Sequence, residues 1–327
     1  MKSFVHSLTD TTLATFLQRG RLYSDGFGDR RRMARLVEGV RDVPASEPSP
    51  ADVIWEKPRD VLGLRVLRGS FRSPLADELP PESERVQLEL IRPAREPDAP
   101  LAVLLAATAE EGFARRRVFA APLLRKGVGV VMVENPYYGT RRPRGQRGAN
   151  LASVADQFAM NLATVLEVRA LLAHLRSHHG SKVVVTGFSQ GAMMAAFAAV
   201  TVPFAVGVVP FAAGVGARPI FLDGVLSRVF DWGALARDEG GLAQEKEVFA
   251  RALEPVSLAA HGPPVRPDLA VILGAAHDAF VPRAEVESLH AHWPGSELRW
   301  VGAGHVTGAV LHQGAHRRAI LDVFSRM

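Results

Sequence analysis

A serine stands at the centre of the segment Gly187-Phe188-Ser189-Gln190-Gly191, directly after the apolar run KVVVT and directly before a helix-like segment. A serine on a sharp strand-to-helix turn projects its Oγ above the sheet, and flanking glycines let neighbouring backbone approach closely. The N–H group of Gln190 would then point at an oxyanion that develops on a substrate. This context predicts that Ser189 is a nucleophile. The alternative interpretation is a serine that caps a helix after a glycine-rich turn.

A serine nucleophile requires a base and an acidic group that orients the base. Asp278 and His305 follow Ser189 along the chain, each just past a predicted strand. The order serine, acid, histidine is typical of hydrolases that carry this strand–turn–helix nucleophile. We therefore predict Asp278 as the acid and His305 as the base. The less favoured candidates lie in an inserted segment, at the wrong end of a strand, directly before Asp278 or beside the last helix: Asp223, Asp231, Asp268, His277, His312 and His316.

A second oxyanion donor is expected from the loop at residues 107–112, which follows a buried strand and carries no HGGG motif. A backbone N–H group of Thr108 or Ala109 fits this role, and the Thr108 hydroxyl is a further potential donor. The alternative is a plain connecting loop.

Two arginine-rich segments, at residues 115–117 and 141–147, follow strands on the same predicted edge of the sheet. Arginine favours bidentate recognition of phosphate and carboxylate groups. We therefore predict substrate-binding residues for an anionic substrate such as a phosphate-bearing lipid: Arg115, Arg116, Tyr137, Tyr138 and Arg141. The alternative is solvated surface charge, or ion pairs with Glu110, Glu111 and Glu134.

The elements that must position these residues alternate between strand and helix. Apolar runs predict strands at 64–68, 86–91, 100–107, 128–134, 182–186, 205–211, 269–273 and 297–301, and helical spacing predicts helices at 113–125, 151–177, 191–200, 283–293 and 316–327. Such alternation with buried strands predicts an α/β fold whose mostly parallel central sheet is covered by helices on both faces. Functional groups then lie at the carboxyl ends of the strands.

The remaining segments flank or interrupt this pattern. Residues 1–60 are predicted as a helical extension with helices at 9–18 and 31–40 and a linker at 44–50, followed by the main domain at 61–327. Residues 215–265 are rich in charge and break the alternation, so we predict an inserted lid over the active-site edge. These two segments are called the extension and the insertion below.

Composition excludes several classes of function. The 327 residues contain no cysteine, which removes disulfides, thiolate metal ligands and a cysteine nucleophile. The 39 basic and 34 acidic residues are interspersed, so no nucleic-acid interface is expected. H-E-x-x-H, Walker A and G-x-G-x-x-G motifs are absent, and we expect neither a metal nor another cofactor.

A membrane segment and a targeting signal are also not expected. Residues 191–216 carry no charge, but Pro203, Gly207 and Pro210 divide them into a buried helix and a buried strand. The first residues, MKSFVHSLTD, lack the apolar run and the cleavage site of a signal peptide. A cytoplasmic location is the default expectation, and peripheral contact of the insertion with a membrane surface is a hypothesis.

Five segments together resemble the alpha/beta hydrolase domain-containing protein 18 family. They are ATAEEGFARRR (107–117), VMVENPYYGTRRP (131–143), GFSQG (187–191), HDAFVPR (277–283) and GAGHVTG (302–308). The resemblance implies an α/β-hydrolase fold with Ser189, Asp278 and His305 as nucleophile, acid and base. Two departures stand out: residues 107–111 read ATAEE where the family is expected to have G-T-G-D-H, and Gln190 replaces a usual methionine.

The expected function is hydrolysis of a carboxylic ester, with a lipid or other apolar acyl ester as the small-molecule substrate, through an acyl-enzyme and without a cofactor. A peptidase or an acyltransferase would use the same three residues with another substrate or acceptor. A non-enzymatic interaction protein on a hydrolase scaffold is the alternative from a different class. The sequence predicts neither the acyl-chain length nor the oligomeric state.

Overall fold

The computed structural model describes residues 9–10, 22–43, 46–178, 182–237 and 241–327. Of the helix predicted at 9–18, only Thr9 and Asp10 are described, in helical conformation, and residues 11–18 lie outside the described part. The first two residues of the predicted linker, 44 and 45, also lie outside it.

A ten-stranded sheet forms the centre of the described chain. Its strands are β1 (Ile54–Trp55), β2 (Arg59–Val61), β3 (Leu64–Arg72), β4 (Arg85–Pro93), β5 (Leu101–Leu105), β6 (Gly129–Val133), β7 (Val183–Phe188), β8 (Gly207–Phe211), β9 (Val271–Ala275) and β10 (Glu297–Val301). The order is β1-β3-β4-β6-β5-β7-β8-β9-β10, with β2 paired to β3. Strands β5 to β10 run parallel to one another, whereas the pairs among β1 to β4 and the pair between β4 and β6 are antiparallel.

Helices cover both faces of the sheet, as predicted. The helices are α1 (Arg30–Asp42), α2 (Ala114–Leu124), α3 (Val154–His178), α4 (Gln190–Thr201), α5 (Trp232–Leu235), α6 (Gly241–Leu253), α7 (Arg283–His292), α8 (His305–Leu311) and α9 (Gln313–Ser325). Successive side chains of a strand point to opposite faces. In β5, Val103 joins the core beneath α1, α3, α4 and α7, whereas Leu104 joins the core beneath α2 and α9.

Two elements differ from the sequence prediction near the candidate catalytic residues. His305 is the first residue of helix α8 rather than part of a turn, and α9 begins at Gln313 rather than at residue 316. Three glycines and a β-branched pair in residues 302–308 obscure helical periodicity over so short a segment.

The extension is built into the same core. Helix α1 buries Met33, Leu36 and Val40, and the Asp29 carboxylate caps it by accepting bonds from the backbone N–H groups of Arg31 and Arg32. Strands β1 and β2, at residues 54–55 and 59–61, lie on both sides of the domain boundary predicted at residue 60 and lengthen the sheet at its antiparallel edge.

The insertion contacts the extension directly. The Leu22 carbonyl accepts a hydrogen bond from the Asp231 N–H at 2.9 Å, and the rings of Tyr23 and Phe230 lie 5.0 Å apart. Arg30 of α1 forms an ion pair with Glu245 of α6 at 2.7 Å. These contacts bring together, beside α3 and α4, two segments that are far apart in the sequence.

The uncharged residues 191–216 form most of helix α4 and strand β8, as predicted from their proline and glycine residues. Among the described helices, α3 is long and apolar enough to cross a membrane by length and composition. However, 89% of its most apolar window is buried inside the protein, which is typical of a core helix.

A buried histidine makes the stability of this fold depend on pH. Nε2 of His316 lies 2.7 Å from the Thr186 hydroxyl, and burial lowers the pKa of His316 to about 4. The unfolded chain takes up a proton near the usual histidine pKa of about 6.5, so stability is full above that pH and is lost as the pH falls towards 4.

We expect this residue to remove about 2 kcal/mol from the free energy of unfolding between pH 7.5 and pH 5. In His316→Gln that loss disappears, because glutamine does not titrate and still offers a donor to Thr186. Urea unfolding at the two pH values measures it, with His312→Gln as the control. An unchanged pH dependence in His316→Gln would contradict the prediction.

Candidate active site

The turn between β7 and α4 holds Ser189 in a strained conformation, with φ of 54° and ψ of −119°. Its two glycines are required by close approach. A Cβ atom on Gly187 would lie 2.4 Å from the carbonyl carbon of Gly191, and one on Gly191 would lie 2.6 Å from the carbonyl oxygen of Leu105. Only glycine fits both positions, and the resulting turn lifts the Ser189 side chain above the carboxyl end of the sheet.

The structure brings Ser189, His305 and Asp278 into one hydrogen-bonded chain. Nε2 of His305 lies 2.9 Å from Oγ of Ser189, and Nδ1 lies 2.7 Å from Oδ2 of Asp278. The other carboxylate oxygen of Asp278 accepts bonds from the backbone N–H groups of Phe280 and Val281 at 2.8 and 2.9 Å. The acid is therefore held at both oxygens, and its orientation selects the histidine tautomer with the proton on Nδ1.

The imidazole of His305 is enclosed by aromatic rings. The rings of Phe188 and Phe280 each lie 4.8 Å from it, and the side chains of His305 and Asp278 are 10% and 2% exposed. In such a water-poor setting, the attraction between the carboxylate and a protonated imidazole is stronger than in water. The site can therefore stabilise an imidazolium that forms during a reaction.

The predicted oxyanion loop lies next to a buried tyrosine. Ala109 adopts a left-handed conformation with φ of 60°. Burial raises the pKa of Tyr138 to about 12, and the backbone of Ala109 acts in the opposite direction. Thr108 is the better candidate of the two for an oxyanion donor, because it lines the same cavity as Ser189 whereas Ala109 does not.

Gln190 supplies the other candidate donor. As the first residue of α4, it has a backbone N–H group without an acceptor inside the helix. Its side chain continues into a polar row: Gln190 Nε2 donates to Asn161 Oδ1 at 3.0 Å, and Gln157 Nε2 donates to the same oxygen at 2.9 Å. Gln157 and Asn161 are not among the residues predicted from the sequence, although two amides one helical turn apart on an apolar helix indicate such a polar contact.

An apolar cavity of about 140 Å³ adjoins Ser189. Its walls come from α3, α4, the extension and the insertion, and include Leu22, Val40, Phe158, Leu162, Met194, Phe197, Phe221 and Phe230. Arg115 instead lines a separate cavity of about 80 Å³ that borders α2, α8 and α9 and that Ser189 does not line. The groups next to the candidate nucleophile are therefore mainly hydrocarbon.

Two of the predicted substrate-binding arginines are engaged within the protein. Arg116 donates to Glu110 Oε1 at 2.9 Å and to the carbonyl oxygens of Leu104, Gly112 and Val133 at 2.7–2.8 Å. Arg141 is fully buried and forms a two-bond ion pair with Glu167 at 2.6 and 2.9 Å. The structure contradicts the substrate-binding prediction for both, since their terminal Nη1 and Nη2 groups bind protein oxygens and neither side chain lines the cavity beside Ser189.

The two predicted tyrosines also bind protein groups. Tyr137 accepts a bond from Arg32 at 3.0 Å and donates to Asp156 at 3.1 Å, whereas Tyr138 is buried in the core beside the Ala109 backbone. Neither tyrosine lines the cavity beside Ser189. Their substrate-binding prediction is corrected in the same way. Among the described residues, no group of three His, Asp or Glu side chains is placed to hold a metal ion.

Comparison with known families identifies the family of this chain. The family model described as "Alpha/beta hydrolase domain containing 18" matches residues 20–247 and 237–326, which is nearly the whole sequence. The chain belongs to this family. The resemblance inferred from the five sequence segments is thereby confirmed, and residues 20–60 of the extension fall within the family match.

Solved structures show the same fold in proteins of distant sequence. An acetyl xylan esterase from Paenibacillus sp. R4 matches with a TM-score of 0.63 at 17% identity, over 94% of this chain and 98% of that one. Acetyl xylan esterase 1 from Thermoanaerobacterium sp. JW/SL YS485 matches with a TM-score of 0.58 at 14% identity over the same shares. One of two prolyl endopeptidases matches with a TM-score of 0.57 at 19% identity, over 82% of this chain and 39% of that chain. The fold of this α/β-hydrolase family member is therefore confirmed.

Substitution of Arg141 tests whether its ion pair with Glu167 stabilises the fold. In Arg141→Met, the Glu167 carboxylate stays buried without its partner, and we expect the free energy of unfolding to fall by about 3–5 kcal/mol. Arg142→Met, which removes a more exposed pair with Glu111, should cost less than about 1 kcal/mol. Urea unfolding measures both changes. A raised KM in Arg141→Met without loss of stability would restore the substrate-binding role.

Proposed function

We propose that this α/β-hydrolase family member is a serine hydrolase that cleaves carboxylic esters with an apolar acyl group. The observation that carries the proposal is the hydrogen-bonded chain of Ser189, His305 and Asp278 at the wall of an apolar cavity. The family membership supports hydrolase chemistry in general, and the ester and acyl preferences rest on the site alone.

The first half of the proposed reaction forms an acyl-enzyme. Oγ of Ser189 attacks the ester carbonyl carbon while Nε2 of His305 takes the hydroxyl proton. The Asp278 carboxylate, 2.7 Å from Nδ1, stabilises the resulting imidazolium without accepting its proton. When the tetrahedral intermediate collapses, the C–O bond to the alcohol breaks and Nε2 returns the proton to the leaving alkoxide.

The second half repeats these proton transfers with water. His305 takes a proton from a water molecule that attacks the acyl carbon, and then gives that proton to Ser189 as the carboxylic acid leaves. In both halves, the N–H groups of Gln190 and Thr108 would stabilise the oxyanion. Each donor of this kind lowers a barrier by about 3 kcal/mol.

The acyl preference follows from the cavity. Aliphatic and aromatic side chains from four different segments surround it, so an acyl chain that enters exchanges contact with water for contact with hydrocarbon. Each methylene buried in this way contributes about 0.8 kcal/mol. A charged or short polar acyl group would gain little there, which favours apolar acids as the acyl component of the substrate.

Fluorophosphonate labelling tests the proposed nucleophile. We expect wild-type protein to be labelled, Ser189→Ala and His305→Ala to be unlabelled, and Asp278→Asn to lose about 10⁴-fold in kcat for an ester substrate. Ser177→Ala serves as the control, since its hydroxyl bonds the Ala173 carbonyl on α3. Absence of labelling in folded wild-type protein, or labelling that persists in Ser189→Ala, would favour a non-enzymatic scaffold.

A series of p-nitrophenyl esters tests the acyl preference. We expect kcat/KM to rise by about fourfold with each added methylene until the cavity is filled. Phe221→Ala enlarges the cavity and should move the optimum to a longer acyl chain. Phe204→Ala, at the opposite end of the sheet and outside this cavity, should leave the optimum in place. A flat dependence on chain length, or faster cleavage of matched peptide amides, would overturn the ester preference.

A further inference from the structure

A carboxylate from the extension lies directly behind the catalytic groups. The side chain of Asp10 is fully buried, and its Oδ2 accepts hydrogen bonds from the backbone N–H groups of Ala279 at 3.1 Å and His305 at 2.9 Å. Its Oδ1 accepts a third bond from the N–H group of Val306 at 3.0 Å. Asp10 lies more than 260 positions away from these residues in the sequence.

The three amides belong to two different loops. Ala279 directly follows Asp278, after strand β9, whereas His305 and Val306 begin helix α8, after strand β10. The two loops are also linked by a backbone hydrogen bond from the His277 N–H to the Ala303 carbonyl at 2.9 Å. Asp10 therefore connects the backbone that carries the acid with the backbone that carries the base.

The chemistry of these bonds favours a firm link. Hydrogen bonds from N–H groups to an ionised carboxylate are about twice as strong as bonds between neutral groups. A negative charge next to the first N–H groups of α8 also interacts favourably with the helix dipole. Exclusion from water strengthens both effects, because no solvent competes for the buried oxygens.

Capping of α8 explains only part of this arrangement. The Gly304 N–H donates to the Thr307 hydroxyl at 2.9 Å, and the first two helical N–H groups, those of His305 and Val306, are left to Asp10. The bond from Ala279 serves no helix, since it comes from the loop of the acid. The distinctive property of Asp10 is that one oxygen atom binds the amide of the base and the amide beside the acid.

We propose that Asp10 is a positioning residue for the hydrolase reaction. By holding the backbone of Ala279 and His305 to one oxygen atom, it sets the separation of the two loops and thereby the 2.7 and 2.9 Å contacts of the His305 ring. A displacement of about 1 Å in a catalytic group can reduce the rate by about 100-fold. The extension thus acts on the reaction through backbone geometry.

The matched control is Asp29. Its carboxylate also binds two N–H groups at the start of a helix, at 2.8 and 3.0 Å, but that helix is α1 and the contact is exposed. Comparing Asp10→Ala with Asp29→Ala therefore separates the loss of a helix-capping carboxylate from the loss of the link between the two loops. In Asp10→Asn, one side-chain oxygen still accepts hydrogen bonds. The amide NH₂ group that replaces the other oxygen faces a backbone N–H group and cannot accept its bond.

The experiment measures the rate of fluorophosphonate labelling, kcat and KM for one ester, and the free energy of unfolding for each full-length variant. We expect Asp10→Ala to reduce kcat and the labelling rate by about 30- to 100-fold with KM within about twofold of wild type. Asp10→Asn should show a smaller loss in the same two rates. Asp29→Ala should lose stability with kcat unchanged.

The inference rests on the proposed function, and their failures are distinguishable. Wild-type protein that is neither labelled nor active would defeat the proposed function. Wild-type protein that is labelled, together with Asp10→Ala and Asp10→Asn labelled at the same rate as wild type, would overturn only the positioning role. If Asp10→Ala does not fold, the kcat and labelling rate of Asp10→Asn decide the question.

Discussion

The close approach between β7, α4 and β5 is the constraint on which the site depends. Backbone atoms of Gly191 and Leu105 occupy the space that a Cβ atom would need at Gly187 and Gly191. This packing holds Ser189 at a positive φ and directs its side chain out of the sheet. The free-energy cost of that conformation is offset by the buried parallel strands on both sides. Their backbone hydrogen bonds and apolar contacts fix the position of the turn and so maintain its conformation.

The segments outside the central sheet complete the site in two ways. The extension and the insertion meet at Leu22 and Phe230 and supply much of the apolar wall beside Ser189. The extension also supplies Asp10, which binds backbone amides of both loops that carry Asp278 and His305. Under the proposed function, substrate selection and catalytic geometry would both depend on these added segments, while the sheet provides the scaffold common to many hydrolases.

Two buried arginines have a structural role in this protein. Arg116 and Arg141 lie in interior positions where an unpaired guanidinium would cost several kcal/mol, and each is paired with a glutamate and with backbone carbonyl oxygens. They connect the loops after β5 and β6 with the rest of the domain. The same residues look like an anion-binding cluster in the sequence, because a linear segment does not reveal which side chains turn inward.

The sequence by itself determined the parallel sheet, the helices on both faces, the elbow at Ser189 and the family, since these depend on local periodicity, on glycines at close contacts and on short motifs. It also placed Asp278 and His305 past the ends of strands. Only the tertiary structure decided that their side chains meet Ser189, that Arg116 and Arg141 point inward, and that Asp10 binds the backbone at Ala279 and His305. Those contacts join residues far apart in the chain, and their distances are set by the packing of whole elements, which no local pattern encodes.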